Sequence, residues 1–261
     1  MVDRITPNKL LNPTSTNPTR YMSIKEEIFH VLRRNLVATF SFYASKEVVL
    51  CPVCFTEITK DEVLGGALEH IIPQNVVESD PDSLKVISKN QRCGITVLCR
   101  QRRIWGDEIK YEFSERGLNA QIKWGDKIAR QGCNGLKGSL YDRLFRGLLD
   151  DKPHDSNKLT TRHRVAILMM GYLGAFQRFG YEYVLLPWLN EIRDQFDHPD
   201  VKITDWLDRV VYFGGMSHPG ICSTEDGLPF MVSQTFHDEA PLVIYFRRFR
   251  VELPSGHWLV K

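Results

Sequence analysis

The sequence has little net charge and no long apolar run, and each shortage excludes a class of protein. Lysine and arginine number 34 against 32 aspartate and glutamate residues, a net charge of +2. A balance this mild does not by itself indicate nucleic-acid binding, which depends on local basic surface. The longest apolar stretch, Val165 to Phe176, is about half the roughly 20 residues that a membrane-spanning helix needs. No secretory signal pattern is found, so we expect a soluble, cytoplasmic protein with no membrane partner.

The composition excludes a disordered chain. Of the 261 residues, 43% are hydrophobic and 25% are charged, as in ordinary globular proteins. This length allows one large domain or two modest ones. Three prolines among Asn and Thr predict an extended arm over residues 1–22. We divide the rest into a central domain, 23–150, and a helical and β C-terminal region, 151–261, to which no role is assigned.

Two helices are predicted in the central domain. Ser23 followed by Glu26 matches a capping box, and the apolar spacing after it predicts a helix to about Asn35. A second, amphipathic helix should begin close to Asn134, because leucines then recur at every fourth position. These leucines are Leu136, Leu140, Leu144 and Leu148.

The C-terminal region reads as helices followed by strands. Thr160 to Phe179 is apolar nearly all round, which is typical of a buried helix. Further helices are predicted at about Leu185 to Phe196 and near Ile203 to Val210. Leu242 to Leu253 is rich in Val, Ile, Tyr and Phe, and a Pro-Ser-Gly turn separates it from His257 to Val260. This pattern predicts a terminal β-hairpin.

In a reducing compartment the six cysteines are expected to bind metal or stay free, and not to form disulfides. Cys51 and Cys54 have the two-residue spacing that lets two thiolates reach one tetrahedral ion from a tight turn. The best second pair is Cys99, after the strand Ile95-Thr96-Val97-Leu98, and Cys133, at the entry to the second helix. Cys93 is the alternative ligand. The spacing predicts a structural zinc site.

The cysteines frame two further motifs. Glu69-His70-Ile71-Ile72-Pro73 lies between the cysteine pairs, and Asn134-Gly135 follows Cys133 directly. Together with Cys51-Pro-Val-Cys54, this set resembles the HNH endonuclease family of the ββα-metal type, in its four-cysteine, zinc-containing form. The resemblance implies an α+β fold: a zinc-stapled ββα-metal nuclease core within a mainly helical body that ends in a β-hairpin. It covers roughly residues 51–149.

The same resemblance implies the catalytic roles. His70 is the expected general base, and Glu69 and Asn134 are the expected ligands of one Mg²⁺ or Mn²⁺ ion. These residue types suit that chemistry, because hard oxygens bind magnesium and histidine titrates near neutral pH. Adjacent strand residues point to opposite faces, so a shared site for Glu69 and His70 requires a bend or bulge. Lys137, one turn after Asn134, is expected to contact a phosphate.

The long separation of Cys99 from Cys133 departs from the family pattern, and we interpret it as an insertion, 100–132, in the second knuckle of a nuclease domain. The insertion is basic and carries two tryptophans, which suits phosphate neutralisation and base stacking. A twisted hairpin with solvated charges is the alternative. The expected nucleic-acid contacts in it are Arg100, Arg102, Arg103, Lys127 and Arg130.

The sequence thus predicts a metal-dependent HNH endonuclease that hydrolyses phosphodiester bonds. DNA is the first substrate expected and RNA the second, and the resemblance implies a role in bacterial restriction or phage defence, with an activating or targeting protein as a further partner. Two alternatives stay open. A non-catalytic zinc-ribbon adaptor that binds nucleic acid or protein would need the cysteines but not Glu69, His70 or Asn134. An RNA-cutting toxin would use the same catalytic residues.

Overall fold

The computed structural model of the chain describes residues 23–73, 94–101, 132–150, 159–212, 231–233, 241–246 and 249–255. The predicted arm, 1–22, lies outside these ranges. So do Cys93, most of the basic insertion and the segment from His257 to Val260.

Helix α1 spans Ile24–Thr39 and begins at the predicted capping box. The Ser23 hydroxyl accepts from the Glu26 backbone, and the Glu26 carboxylate accepts from the Ser23 N–H at 3.1 Å. The helix continues beyond Asn35, whose side chain accepts a hydrogen bond from the Tyr181 N–H at 2.8 Å. The predicted start is confirmed, and the end lies four residues later than expected.

Two short antiparallel strand pairs follow α1. Strands β1 (Val48–Leu50) and β2 (Glu57–Thr59) pair across the Cys51–Cys54 turn. Helix α2 (Lys60–Glu62) runs into a π turn, Val63–Ala67, that leads to β3. Strands β3 (Leu68–His70) and β4 (Ile95–Val97) pair so that Glu69 lies opposite Thr96 and His70 opposite Ile95.

Helix α3 covers residues 132–150 and contains a π turn at Lys137–Tyr141 before the regular stretch Asp142–Asp150. A helix that begins near Asn134 is therefore confirmed. The π turn adds a residue to the helical repeat, so the apolar face shifts by one position after it. Tyr141 and Phe145 are fully buried, whereas Leu140 and Leu144 are only partly buried.

Helix α4, Thr161–Phe179, runs through the middle of the core, and Thr160 caps it. Nearly all of its residues from Val165 onward are buried, as the continuous apolar pattern predicts. Two tyrosines, one within α4 and one just after it, support the cysteine turn. The Tyr172 hydroxyl donates to the Pro52 carbonyl at 2.7 Å, and the Tyr181 hydroxyl donates to the Leu50 carbonyl at 2.6 Å. The central and C-terminal regions thus share one hydrophobic core.

Four shorter helical elements follow α4 among the described residues. Helix α5 spans Tyr181–Val184, and helix α6 spans Asn190–Asp197 after a 3₁₀ turn at Pro187–Leu189. The predicted start of this helix at Leu185 is too early, because Pro187 has no N–H and belongs in a first turn. The short helix predicted near Ile203 to Val210 is a 3₁₀ turn, Asp205–Arg209, that leads directly into a strand.

The last strands form an antiparallel sheet in the order β5-β8-β7-β6: β5 (Val210–Tyr212), β6 (Met231–Ser233), β7 (Leu242–Phe246) and β8 (Phe249–Leu253). A terminal β-hairpin is present, but it forms within Leu242 to Leu253, with Ile244 opposite Val251. The prediction of one strand over this stretch was wrong, because twelve residues exceed the usual length of one strand and two short strands bury both apolar halves. The expected partner, His257 to Val260, lies outside the described residues. Among the described helices, none has the length and apolarity needed to cross a membrane.

Candidate functional site

The four predicted zinc ligands meet in one cluster. Cys51 and Cys54 lie in the turn between β1 and β2, Cys99 follows β4, and Cys133 lies in the first turn of α3. Their four Sγ atoms lie within 4.8 Å of one another, and none of the four is in a disulfide. A tetrahedral zinc ion with Zn–S bonds of about 2.3 Å requires Sγ–Sγ distances of about 3.8 Å. The cluster can therefore hold a metal ion such as zinc.

The first cysteine turn is held from several sides. The Cys51 N–H donates to the Thr56 carbonyl, and the Phe55 N–H donates to the Cys51 carbonyl, both at 2.9 Å. Phe55 has φ 58°, a left-handed conformation that is uncommon for a bulky residue. Its ring lies 4.5 Å below the Arg193 guanidinium. Strained backbone of this kind persists only where the surroundings determine it, as they do here.

The second cysteine pair depends on a close backbone approach. The Asn134 N–H donates to the Cys99 carbonyl at 3.0 Å, and the Cys133 N–H donates to the Cys99 Sγ at 3.4 Å. Gly132 has φ 60°, and a Cβ on it would lie 2.4 Å from the Cys99 carbonyl oxygen. No side chain fits at this position. Gly132 was not among the predicted site residues, although a glycine directly before Cys-Asn is a visible signal in the sequence.

The electrostatics of the cluster suit a cation. Burial raises the pKa of Cys51 well above its ordinary value. Hydrogen bonds from Cys133 and then Cys51 lower the pKa of Cys54 far below that value. The Cys54 and Cys99 sulfurs are only 3.4 Å apart. Four thiols this close would repel one another if all were deprotonated with no cation between them, and a set of four soft sulfurs favours zinc over magnesium or calcium.

Glu69 and His70 lie on a regular ladder. The Leu98 N–H donates to Ala67 at 2.9 Å and the Ile71 N–H donates to Gly94 at 2.7 Å, so hydrogen bonds continue on both sides of β3. Between Ala67 and Ile71 the described ladder contains no bulge, so the bend or bulge that a shared site for Glu69 and His70 was expected to require is absent there. The two side chains leave the strand on opposite faces. Ile71 and Ile72 are buried and anchor the end of the strand.

The α3 helix meets β3 at Glu69. Lys137 is fully buried, and its Nζ lies 2.6 Å from Asp142 Oδ1 and 3.4 Å from Glu69 Oε1. We expected Lys137 to face a phosphate. The structure instead places its ammonium between two carboxylates, because the lysine points inward at the junction of strand and helix. Asp142 was missed, since it lies five residues from Lys137 and a regular helix would separate the two.

Burial also affects Asp142 itself. Burial raises the pKa of this carboxyl to about 6 in spite of the opposing charge of Lys137. Asp142 and Glu69 keep 15% and 20% of their side chains exposed, respectively, whereas Lys137 keeps none. Solvent therefore reaches this group of three residues at the carboxylates of Glu69 and Asp142, and not at Lys137.

The remaining predicted residues are only partly described. Asn134 lies one turn before Lys137, at the start of α3. Arg100 is exposed, and its Nη1 donates to the Gly65 carbonyl at 3.2 Å. Within the described ranges, the cysteine cluster is the one group of three or more His, Cys, Asp or Glu side chains with metal-binding geometry. Four expected nucleic-acid contacts lie outside those ranges: Arg102, Arg103, Lys127 and Arg130.

The chain was compared with protein-family models, curated proteins and solved structures, and nothing in the three comparisons matches it.

Proposed function

We propose that this protein is a metal-dependent nuclease that hydrolyses phosphodiester bonds and is held together by a structural zinc ion. The observation that supports this best is the contact between Lys137 Nζ and Glu69 Oε1 at 3.4 Å. It places the helix that starts with Cys133-Asn134 against the antiparallel pair β3–β4, which carries Glu69-His70. Two antiparallel strands and a following helix, in this order, are the arrangement that a ββα-metal nuclease requires.

The zinc site would have a structural role in this proposal. Its ligands come from the β1–β2 turn, the end of β4 and the start of α3, so one ion would join all three. The ion would then fix the position of the helix that carries Asn134 relative to the strand pair that carries Glu69. Structural zinc sites are four-coordinate and closed, as this sulfur set would be, and they contribute folding free energy directly.

The catalytic roles follow from donor chemistry. Glu69 and Asn134 offer a carboxylate and an amide oxygen, which Mg²⁺ or Mn²⁺ prefers, and such an ion would offset charge on the scissile phosphate and the leaving oxygen. His70 would accept the proton of the attacking water.

DNA is the substrate that we propose, with RNA as the alternative and restriction or phage defence as the setting. The second candidate function is a zinc-ribbon adaptor that binds nucleic acid or protein without cutting it. The cysteine cluster favours this candidate equally, because it does not involve Glu69, His70 or Asn134.

Cleavage assays separate the two functions. Purified protein is incubated with plasmid, linear DNA and RNA, with Mg²⁺, Mn²⁺ or a chelator.

We expect His70→Ala to lower the cleavage rate about 100- to 10,000-fold, the usual effect of losing a general base, without loss of zinc or fold. Asn134→Ala should instead raise the Mg²⁺ concentration that half-maximal cleavage requires. His198→Ala is the matched control, because His198 is exposed and caps the C-terminus of α6. If His70→Ala cuts as fast as wild type, the adaptor is the better explanation.

A further inference from the structure

The buried ammonium of Lys137 has two carboxylate partners at unequal distances. Asp142 Oδ1 lies 2.6 Å from Nζ, and Glu69 Oε1 lies 3.4 Å from it. Lysine is almost never fully buried without a charged partner, because removing an ammonium from water is costly. The close contact with Asp142 therefore holds the lysine, while the longer one reaches across to the strand.

The π turn brings these residues together. Asp142 donates its backbone N–H to the Lys137 carbonyl, which is the i to i+5 hydrogen bond of a π-helix. In a regular α-helix, residues five apart point about 140° away from each other. The π turn aligns them on one side of α3 instead. Such turns are rare, are less favourable than regular helix, and occur often at functional sites.

We propose that Lys137 and Asp142 are positioning residues that orient the Glu69 carboxylate for a divalent cation. This proposal rests on the nuclease function proposed above. Lys137 has three donors, of which one contacts Asp142 and another reaches Glu69 Oε1. A carboxylate accepts at both oxygens, so a contact to Oε1 leaves Oε2 for the cation. Asp142 keeps the ammonium from moving fully onto Glu69 and competing with that cation.

A purely structural role would account less well for the arrangement. A buried ion pair is generally no more stabilising than apolar side chains of similar volume. Here the Lys137 ammonium is fully buried, whereas the Glu69 and Asp142 side chains are 20% and 15% exposed. An incoming cation can approach only from the carboxylate side.

Mutations of Asp142 and of Lys137 should change the affinity for Mn²⁺ in opposite directions. In Asp142→Asn, the lysine loses its closer anion and pairs more tightly with Glu69, so Mn²⁺ should bind about 10- to 100-fold more weakly. In Lys137→Met, the competing ammonium is gone, so Mn²⁺ should bind more tightly than in wild type, while turnover falls because the carboxylate is no longer oriented. A triad that serves stability alone predicts unchanged Mn²⁺ affinity in both folded variants.

The test is Mn²⁺ titration of the zinc-loaded full chain, followed by electron paramagnetic resonance of free Mn²⁺, without nucleic acid. Asp200→Asn is the matched control, because Asp200 pairs with Arg162 on the exposed surface. Asp142→Glu restores the charge and should recover most of the affinity, which a packing role would not predict. Circular dichroism and zinc content verify the fold, and if Asp142→Asn does not fold, the Lys137→Met comparison decides.

Three outcomes are distinct. Weaker Mn²⁺ binding in Asp142→Asn and tighter binding in Lys137→Met support the positioning role. Equal binding in wild type and Asp142→Asn overturns it, as does unchanged or weaker binding in folded Lys137→Met. If wild type binds Mn²⁺ with this pattern of variants but cuts no nucleic acid, the proposed nuclease function fails while the assignment of Lys137 and Asp142 as orienting groups of a cation site stands.

Discussion

Replacing Gly132 by alanine tests whether the close approach of α3 to the end of β4 builds the metal centre. Gly132 has φ 60°, and an added Cβ would meet three backbone atoms. These are the Cys99 oxygen at 2.4 Å, the Arg100 carbonyl carbon at 2.5 Å and the Arg100 oxygen at 2.7 Å. Because all three belong to the main chain, no side-chain rotation can relieve the overlap.

The expected loss of stability has two sources. A left-handed conformation costs an L-residue about 1–2 kcal/mol relative to glycine. Overpacking against backbone costs about 1–3 kcal/mol more, since the segments must separate by roughly 0.5–1 Å. Together these predict that the free energy of unfolding falls by about 2–5 kcal/mol.

The same displacement should weaken metal binding. Cys133 follows Gly132 directly, and its N–H donates to the Cys99 sulfur at 3.4 Å. Separating the two segments therefore moves two of the four sulfurs apart. Loss of ligand geometry lowers zinc affinity, and zinc affinity contributes to folding free energy.

Two measurements follow the change: urea unfolding of the zinc-loaded protein, and competition for zinc with a chelating dye. Gly147→Ala is the matched control, because Gly147 lies in the regular part of α3 and a Cβ there meets nothing within 4 Å. Alanine is the better helix former, so this control should stabilise by about 0.5–1 kcal/mol. If Gly132→Ala unfolds at the wild-type urea concentration and holds zinc as tightly, the close approach does not build the site.

Three further predictions follow from the same structure. One zinc per chain should copurify, as elemental analysis would show. Cys51→Ser should lose the zinc and unfold the local core, as circular dichroism would show. Active, folded protein without zinc would contradict this prediction. Because burial raises the pKa of Asp142 from 3.8 to about 6, the folded state binds more protons between these values, so the contribution of Asp142 to stability falls as pH rises from about 4 to 6. The difference in unfolding free energy between wild type and Asp142→Asn should then shift by on the order of 2–3 kcal/mol across that pH window. Effects of pH on zinc binding are common to both proteins and cancel in this difference. A difference that does not change with pH would refute the prediction. Gly171→Ala should destabilise by about 1–3 kcal/mol, because its Cβ would lie 3.0 Å from Val251 Cβ, and Val251→Ala should recover part of the loss in thermal unfolding.

Local signals in the sequence predicted the elements that depend on neighbouring residues. The Ser23–Glu26 capping box sets the start of α1, because its hydrogen bonds lie within one helical turn. The continuous apolar pattern of Thr160 to Phe179 predicted a buried helix, because only a core can accept such a surface. The two-residue spacing of Cys51 and Cys54 likewise indicated a metal turn.

The predictions were wrong where the structure depends on packing between segments that are distant in the sequence. The stretch Leu242 to Leu253 has strand composition throughout, and composition does not say where it turns or with what it pairs. The leucine repeat of α3 predicted burial of Leu140 and Leu144. The π turn shifted that face to Tyr141 and Phe145, a change that depends on the packing of α3.

The sequence by itself determined the residue types of the site: four thiols, a Glu-His pair and a Cys-Asn helix start, each recognisable from short-range spacing. Only the tertiary structure decided which of these meet. The approach of Gly132 to Cys99, and that of Lys137 to Glu69 across 68 positions, are properties of chain segments that are remote in sequence. The physical reason is that such contacts form when a shared core is buried, and no local pattern encodes the partner.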